Sequence, residues 1–178
     1  MAGNIELNFS GDFVHSVDDK LRAAVPAQYR ATLRELKESR LVLARGKHSC
    51  IEGHAKREWD VHVAERLQRL ELYNDDDLIV RRLWLSQATE VEMDKQGRVL
   101  LPRKLKEIAG VVKAAKFIGL GPFFEIWDPA RYEEFERKYG PDYDKYLSRL
   151  DGRRALQDRT SHSDGQAQRE VPSAGNGS

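Results

Sequence analysis

"VDDKLRAAVP" occupies residues 17–26 and "MDKQGRVLLP" residues 93–102. Both read apolar residue, Asp, three residues, Arg, three small or apolar residues, Pro. They align at an offset of 76, Asp18 with Asp94, Arg22 with Arg98 and Pro26 with Pro102. A pattern that returns with its surroundings is an internal repeat, and a repeat decides the architecture before any single element does.

The surroundings do return. After Pro26 comes "AQYRATLREL", with Tyr29, Leu33 and Leu36 on one helical stripe; after Pro102 comes "RKLKEIAG", with Leu105 and Ile108. Proline suits a helix start, where its missing N–H is not needed, and Gly110 is placed to stop the second helix. Each helix precedes an apolar run ending in glycine, "LVLARG" at 41–46 and "KFIGLG" at 116–121, which read as buried strands. A further strand follows, clear in "FFEIW" at 123–127 and weak in "SCIEG" at 49–53. The spacing of Trp59, Val63, Leu67 and Leu70 predicts a helix after the first unit. Asp128-Pro129 starts another, with Tyr132, Phe135 and Tyr139 as its stripe. Between the units, "NDDDLIVRRLWLSQA" at 74–88 reads as a connecting helix capped by Asn74 to Asp77, with Val80, Leu83, Trp84 and Ala88 facing a core. Each unit is strand, turn, strand, short helix, strand, strand, helix. One unit alone buries little surface, so two packed about a pseudo-twofold axis are expected.

Composition bounds the function. The 178 residues are 40% apolar and 33% charged, with net charge +1. Residues 1–139 carry 24 Lys+Arg against 23 Asp+Glu, and residues 140–178 carry six of each. Any nucleic-acid affinity must come from local basic patches and multivalency, because there is no bulk polycation. A single cysteine, Cys50, excludes an internal disulfide framework and fits a reducing compartment. The start "MAGNIELNFSGDF" lacks the features of a signal peptide, and no apolar run suggests a membrane span, so a soluble cytoplasmic protein is expected.

The Asp-to-Arg spacing has two readings. The Asp can pair with its Arg across a turn, stabilising a hairpin and nothing more; exposed pairs contribute only about 0–1 kcal/mol. Alternatively Arg22 and Arg98, at strand starts and pointing outward, are phosphate or guanine readers, because a planar guanidinium bonds bidentately. Lys20, Lys95, Arg30, Arg103 and Lys104 lie nearby in sequence.

Other constellations are weaker. His48, Cys50, His54 and His62 lack the paired short spacings of zinc sites, and the histidines read as solvated loop residues, so neither metal nor cofactor is expected. "GLGP" at 119–122 lacks the following Lys-Ser/Thr of a phosphate cradle. Glu133, Glu134 and Glu136 read as a solvated face, and Trp59, Trp84 and Trp127 as core. No nucleophile–base–orienter set is legible, which argues against an enzyme.

The sequence resembles the MraZ family of bacterial transcriptional regulators, within the SpoVT/AbrB-like group of swapped-hairpin folds. The resemblance covers roughly residues 9–139. It rests on "FSGDFVHSVDDKLRAAVPAQYR", "EW" at 58–59, "ATEVEMDKQGRVLLPRKLKEIAG" and "FEIWD". It implies an α+β fold of two SpoVT/AbrB-like swapped-hairpin units, 12–59 and 89–132. A helical connection at 60–88, a helical extension at 133–151 and a disordered tail at 152–178 complete the expected organisation. It further implies a homo-oligomeric ring on double-stranded DNA, at direct repeats upstream of the protein's own division and cell-wall gene cluster, with nucleoid association.

Asp94, Gly97 and Arg98 match the family's Asp-x-x-Gly-Arg motif. Asp18, Lys20 and Arg22 match in the first unit, but Leu21 replaces glycine, so a first turn of different shape is expected. Gly53-His54 stands where the second unit has Ile126-Trp127, so a short fourth strand is expected in unit one. The implied DNA contacts are Lys20, Arg22, Lys95 and Arg98, then Arg30 and Arg103 at the helix starts. The competing reading is a protein-binding module of antitoxin type on the same fold.

Overall fold

The computed structural model describes residues 8–152. Strand β1 (Asp12–Ser16) leads through the first turn into β2 (Arg22–Ala24), helix α1 (Ala27–Glu35), β3 (Arg40–Arg45), β4 (Ile51–Ala55) and α2 (Lys56–Gln68). After α3 (Asp75–Leu85) the order repeats as β5 (Thr89–Glu92), β6 (Arg98–Leu100), α4 (Arg103–Ala109), β7 (Ala114–Gly119), β8 (Phe124–Trp127) and α5 (Pro129–Tyr139). The fold is α+β.

The local signals act as the chemistry requires. Pro26 and Pro102 stand immediately before α1 and α4, and Gly110 ends α4 at φ 70°. The Asn74 side chain accepts from the Asp77 N–H at 3.1 Å to cap α3, and Asp128 accepts from the Arg131 N–H at 3.1 Å to cap α5.

Six strands form one antiparallel sheet in the order β1-β7-β8-β4-β3-β5, and β2 pairs with β6 in a separate ribbon. The first strand of each unit is exchanged: β1 pairs with β7 of the second unit, and β5 with β3 of the first. Replacing each strand by its repeat counterpart reproduces the order from the other end. The two hairpins are therefore intertwined about a pseudo-twofold axis between β8 and β4.

The alternating side chains of β3 show how the layers pack. Leu41 and Leu43 enter the main core with Phe9, Tyr29, Leu33, Leu105, Phe117 and Phe124. Val42 and Ala44 face the other way, onto Trp59 of α2 and Trp84 of α3. In the main core, the rings of Phe9, Tyr29 and Phe124 lie 5.2–5.4 Å apart, an arrangement adding about 0.5–1.5 kcal/mol per pair beyond area burial. Tyr29 donates to the Gly11 carbonyl at 2.9 Å, and burial pushes its hydroxyl pKa up to about 12.

Three expectations are corrected. Strand β4 is not short: it has five residues, all buried. Gly53 is what allows this, because the Phe124 ring occupies the space a Cβ would need. Only Trp84 of the α3 stripe is deeply buried; Val80 and Leu83 are 39% and 47% exposed. The histidines are not all solvated loop residues: His54 is buried on β4 and His62 is half-buried on α2. Cys50 is buried too, and its thiol pKa is raised, first by burial.

Among the described residues, those from Glu134 form a second unit. A 3₁₀ turn (Gly140–Asp142) leads into a helical segment at 143–152. Tyr143, Tyr146, Leu147 and Leu150 are exposed there at helical spacing, an apolar stripe the sequence reading passed over. The tail expected at 152–178 lies, except for Gly152, outside the described residues.

Candidate nucleic-acid interface

The two repeated motifs meet. β2 and β6 pair antiparallel, with Arg22 opposite Leu100 and Ala24 opposite Arg98. The ribbon is closed at both ends by equivalent bonds: Leu101 N–H to the Leu21 carbonyl at 2.8 Å, and Val25 N–H to the Gly97 carbonyl at 2.9 Å. This register brings both turns and both Asp–Arg pairs to one place.

Each turn is built by its aspartate. Asp18 Oδ1 accepts from the backbone N–H of Lys20 at 3.0 Å and of Arg22 at 2.9 Å. Asp94 Oδ1 accepts from Gln96 and Arg98 N–H, both at 2.9 Å. The second oxygen of each takes its own guanidinium: Arg22 Nε and Nη2 lie 2.9 and 2.8 Å from Asp18 Oδ2, and Arg98 Nε and Nη2 both lie 2.9 Å from Asp94 Oδ2. The four side chains then cross-link, Arg22 Nη1 to Asp94 at 3.6 Å and Arg98 Nη1 to Asp18 at 3.5 Å. The turn-bracing reading of the spacing is thus realised twice in one closed quartet. The Arg22 and Arg98 backbone hydrogen bonds are the first cause holding the Asp18 and Asp94 carboxyls below the usual carboxylate range.

The first turn does not differ in shape from the second. Leu21 takes φ 61° and Gly97 φ 73°, and both N–H groups bond back to their aspartate carbonyls, at 2.9 and 2.8 Å. Leucine occupies the left-handed region despite its Cβ, at a cost of about 1–2 kcal/mol, because the ribbon and the aspartate fix the turn around it.

The remaining site residues sort by position. Lys20 and Lys95 are exposed in the two turns, and Arg103 is exposed as the first residue of α4. Arg30 of α1 lies over Gly97, where its side chain fills the space of a missing Cβ, and its Nε is buried without a hydrogen-bond partner. Arg30, Arg34, Lys37 and Lys95 line a cavity of about 460 Å³, open beside Asp94. Arg34 and Lys37 were not singled out in the sequence, although Arg30 and Arg34, four residues apart, carry the signature of one helix face; Lys37 lies just past the end of α1 at φ 54°. The quartet is internally neutral, so the local positive excess comes from this face and the turn lysines.

A family model described as "MraZ protein, putative antitoxin-like" matches residues 8–82 and 84–153. The transcriptional regulator MraZ of Lactobacillus helveticus is 36% identical over 143 residues, covering 80% of this chain and 96% of that protein. Its namesakes in Treponema denticola and Heliobacterium modesticaldum are each 34% identical, over 141 and 142 residues, covering 79% and 80% of this chain and 96% of each relative.

Proposed function

The chain belongs to the MraZ family, and from that premise we propose that it is a DNA-binding transcriptional regulator that reads direct repeats upstream of its own division and cell-wall gene cluster. The observation that carries the reading is the fused pair of motifs on the β2–β6 ribbon. A two-stranded ribbon is narrow enough to enter the major groove. Each guanidinium commits Nε and Nη2 to its own aspartate, leaving Nη1 with only a long ion pair. That outer nitrogen is the donor on offer to a guanine edge or a phosphate.

Orientation is the aspartates' contribution. A guanidinium held from behind by a carboxylate loses little rotamer freedom when it meets its target. Lys20 and Lys95 meet phosphates beside the groove, and Arg30 and Arg103 meet backbone further out. These contacts position the ribbon, and Arg22 and Arg98 supply what base readout there is.

Because the two motifs share one site, one chain presents one reading head. Several direct repeats then require several chains, and linkage between them raises the effective concentration. Head-to-tail contacts that close form a ring, and one head per chain gives repeats spaced by about one helical turn, roughly 10 base pairs. The association is expected at the nucleoid.

Fluorescence anisotropy with the upstream fragment tests this. Tight binding to the intact repeats, lost when half a helical turn is inserted between them, is the expected result, with a multimeric mass by light scattering. A chain that binds no upstream DNA but captures a protein would favour the antitoxin-type module instead.

A further inference from the structure

On the face of the sheet covered by α2, away from the DNA motifs, Glu52, His54 and His62 each offer one ligand atom, and these atoms lie within 4.8 Å of one another. Glu52 and His54 are buried, at 6% and 2% exposure. His54 Nε2 is 3.4 Å from Glu52 Oε2, close to the roughly 3.3 Å edge of a tetrahedron around zinc with bonds near 2.0–2.1 Å. The His62 ring lies 4.9 Å from that of His54, nearly parallel. Phe123 and Trp59 pack on His54 at 4.9 and 5.2 Å, so the site has an apolar wall.

The repeat supplies an internal control. Strand β4 and helix α2 correspond to β8 and α5 at an offset of 73, which sets His54 against Trp127, His62 against Phe135 and Glu65 against Lys138. In the second unit Trp127 Nε1 donates to Glu125 Oε2 at 2.8 Å, the counterpart of the His54–Glu52 contact. The second unit thus carries aromatic residues in both histidine positions and a lysine in place of the glutamate. The first unit replaces both rings with imidazoles and the lysine with a carboxylate.

The charges point the same way. Glu52 stands directly opposite Glu125 across the β4–β8 ladder, and like charges so placed repel. Glu52, His62, Glu65 and Glu125 line one cavity of about 490 Å³ that opens to solvent, with Lys47, Arg66 and Arg69 also on its wall. Arg66 is drawn aside onto the Trp84 ring, at 4.3 Å.

We propose that Glu52, His54 and His62 bind a divalent transition metal ion of the zinc or cobalt class, with Glu65 as a further donor on the same cavity wall. Two imidazoles and a carboxylate suit such ions rather than calcium or magnesium, which prefer all-oxygen shells. The ion pins α2 to β4 and neutralises the facing carboxylates. The site is separate from the motif quartet and does not depend on DNA binding.

The experiment uses the full chain, untagged and freed of metal by chelator dialysis. Titration with Co²⁺ followed by visible absorption, and with Zn²⁺ by calorimetry, is expected to give one ion per chain, held at about micromolar Kd or tighter. His62→Phe, which copies the second unit's residue, is expected to weaken Zn²⁺ binding at least tenfold and abolish the cobalt bands. His48→Gln leaves both unchanged. Zinc-edge X-ray absorption of the loaded native chain should show two imidazoles and oxygen, which keeps the test decisive if a variant folds poorly. No binding by the native chain, equal binding by His62→Phe, or a sulfur ligand from Cys50 would overturn the proposal.

Discussion

Substitutions at the two equivalent turn positions should have unequal consequences. Gly97→Ala places a Cβ at φ 73° and against Arg30, whose Nη1 lies 2.6 Å from where that Cβ would sit. The left-handed backbone costs an alanine about 1–2 kcal/mol, and displacing Arg30 adds to this. In a domain of this size, about 1 kcal/mol moves Tm by about 2–4 °C, so Gly97→Ala should lower Tm by about 2–8 °C.

Leu21→Gly removes the same strain from the first turn, a gain of about 1–2 kcal/mol. Against this stand about 0.4–1 kcal/mol of extra unfolded-chain entropy and about 1 kcal/mol for a half-buried leucine side chain. The terms nearly cancel, so Tm should move by no more than about 4 °C and DNA affinity should hold. Thermal melts of the two variants beside the native chain are the assay. A neutral Gly97→Ala, or a Leu21→Gly that melts as early as a core deletion, would refute the claim that one left-handed turn serves both units.

Gly53→Ala should destabilise by about 1–3 kcal/mol through overpacking against Phe124; a chemical-denaturation midpoint shift at unchanged slope would register it. The lowered Asp18 and Asp94 pKa values make the quartet's stability fully present above the unfolded carboxylate range, near pH 4, and lost as pH falls through the lower folded values. Amide signals of Arg22 and Arg98 followed from pH 5 to pH 2 should therefore hold until strong acid, and loss above pH 4 would contradict the geometry. Lys95→Ala should reduce the slope of log affinity against log salt by about one unit, uniformly across operator sequences. Arg98→Ala should instead relax sequence preference while leaving the protein folded.

Much of the fold was legible because the repeat made each weak signal count twice. The strand "SCIEG" was faint alone, yet its counterpart "FFEIW" located it. Its length is not legible because Gly53-His54 is less apolar than the matching Ile126-Trp127, whereas Gly53 leaves the space that the Phe124 ring fills; no local pattern reports a ring arriving from 71 residues away in sequence. The Asp–Arg turn chemistry followed from spacing. That the two turns fuse into one quartet did not, because this depends on β2 pairing with β6 across the chain. His54 and His62 looked like loop residues since eight positions separate them; the strand-to-helix corner at Ala55 folds one over the other.

The exchanged strands also govern when this protein can fold. Asp12 pairs with Ile118, so the first strand made waits for one more than a hundred residues later. At ribosomal rates of about 5–20 residues per second, that wait is roughly 5–20 s. Throughout it, β1 is an unpaired strand and the growing chain cannot close its sheet. Neither half is a folding unit on its own, and a nascent chain that meets a neighbour before β7 emerges has the same strand to donate to that neighbour. Translation speed between the two units, rather than the stability of the finished sheet, then sets the balance between a chain closed on itself and a strand-exchanged assembly.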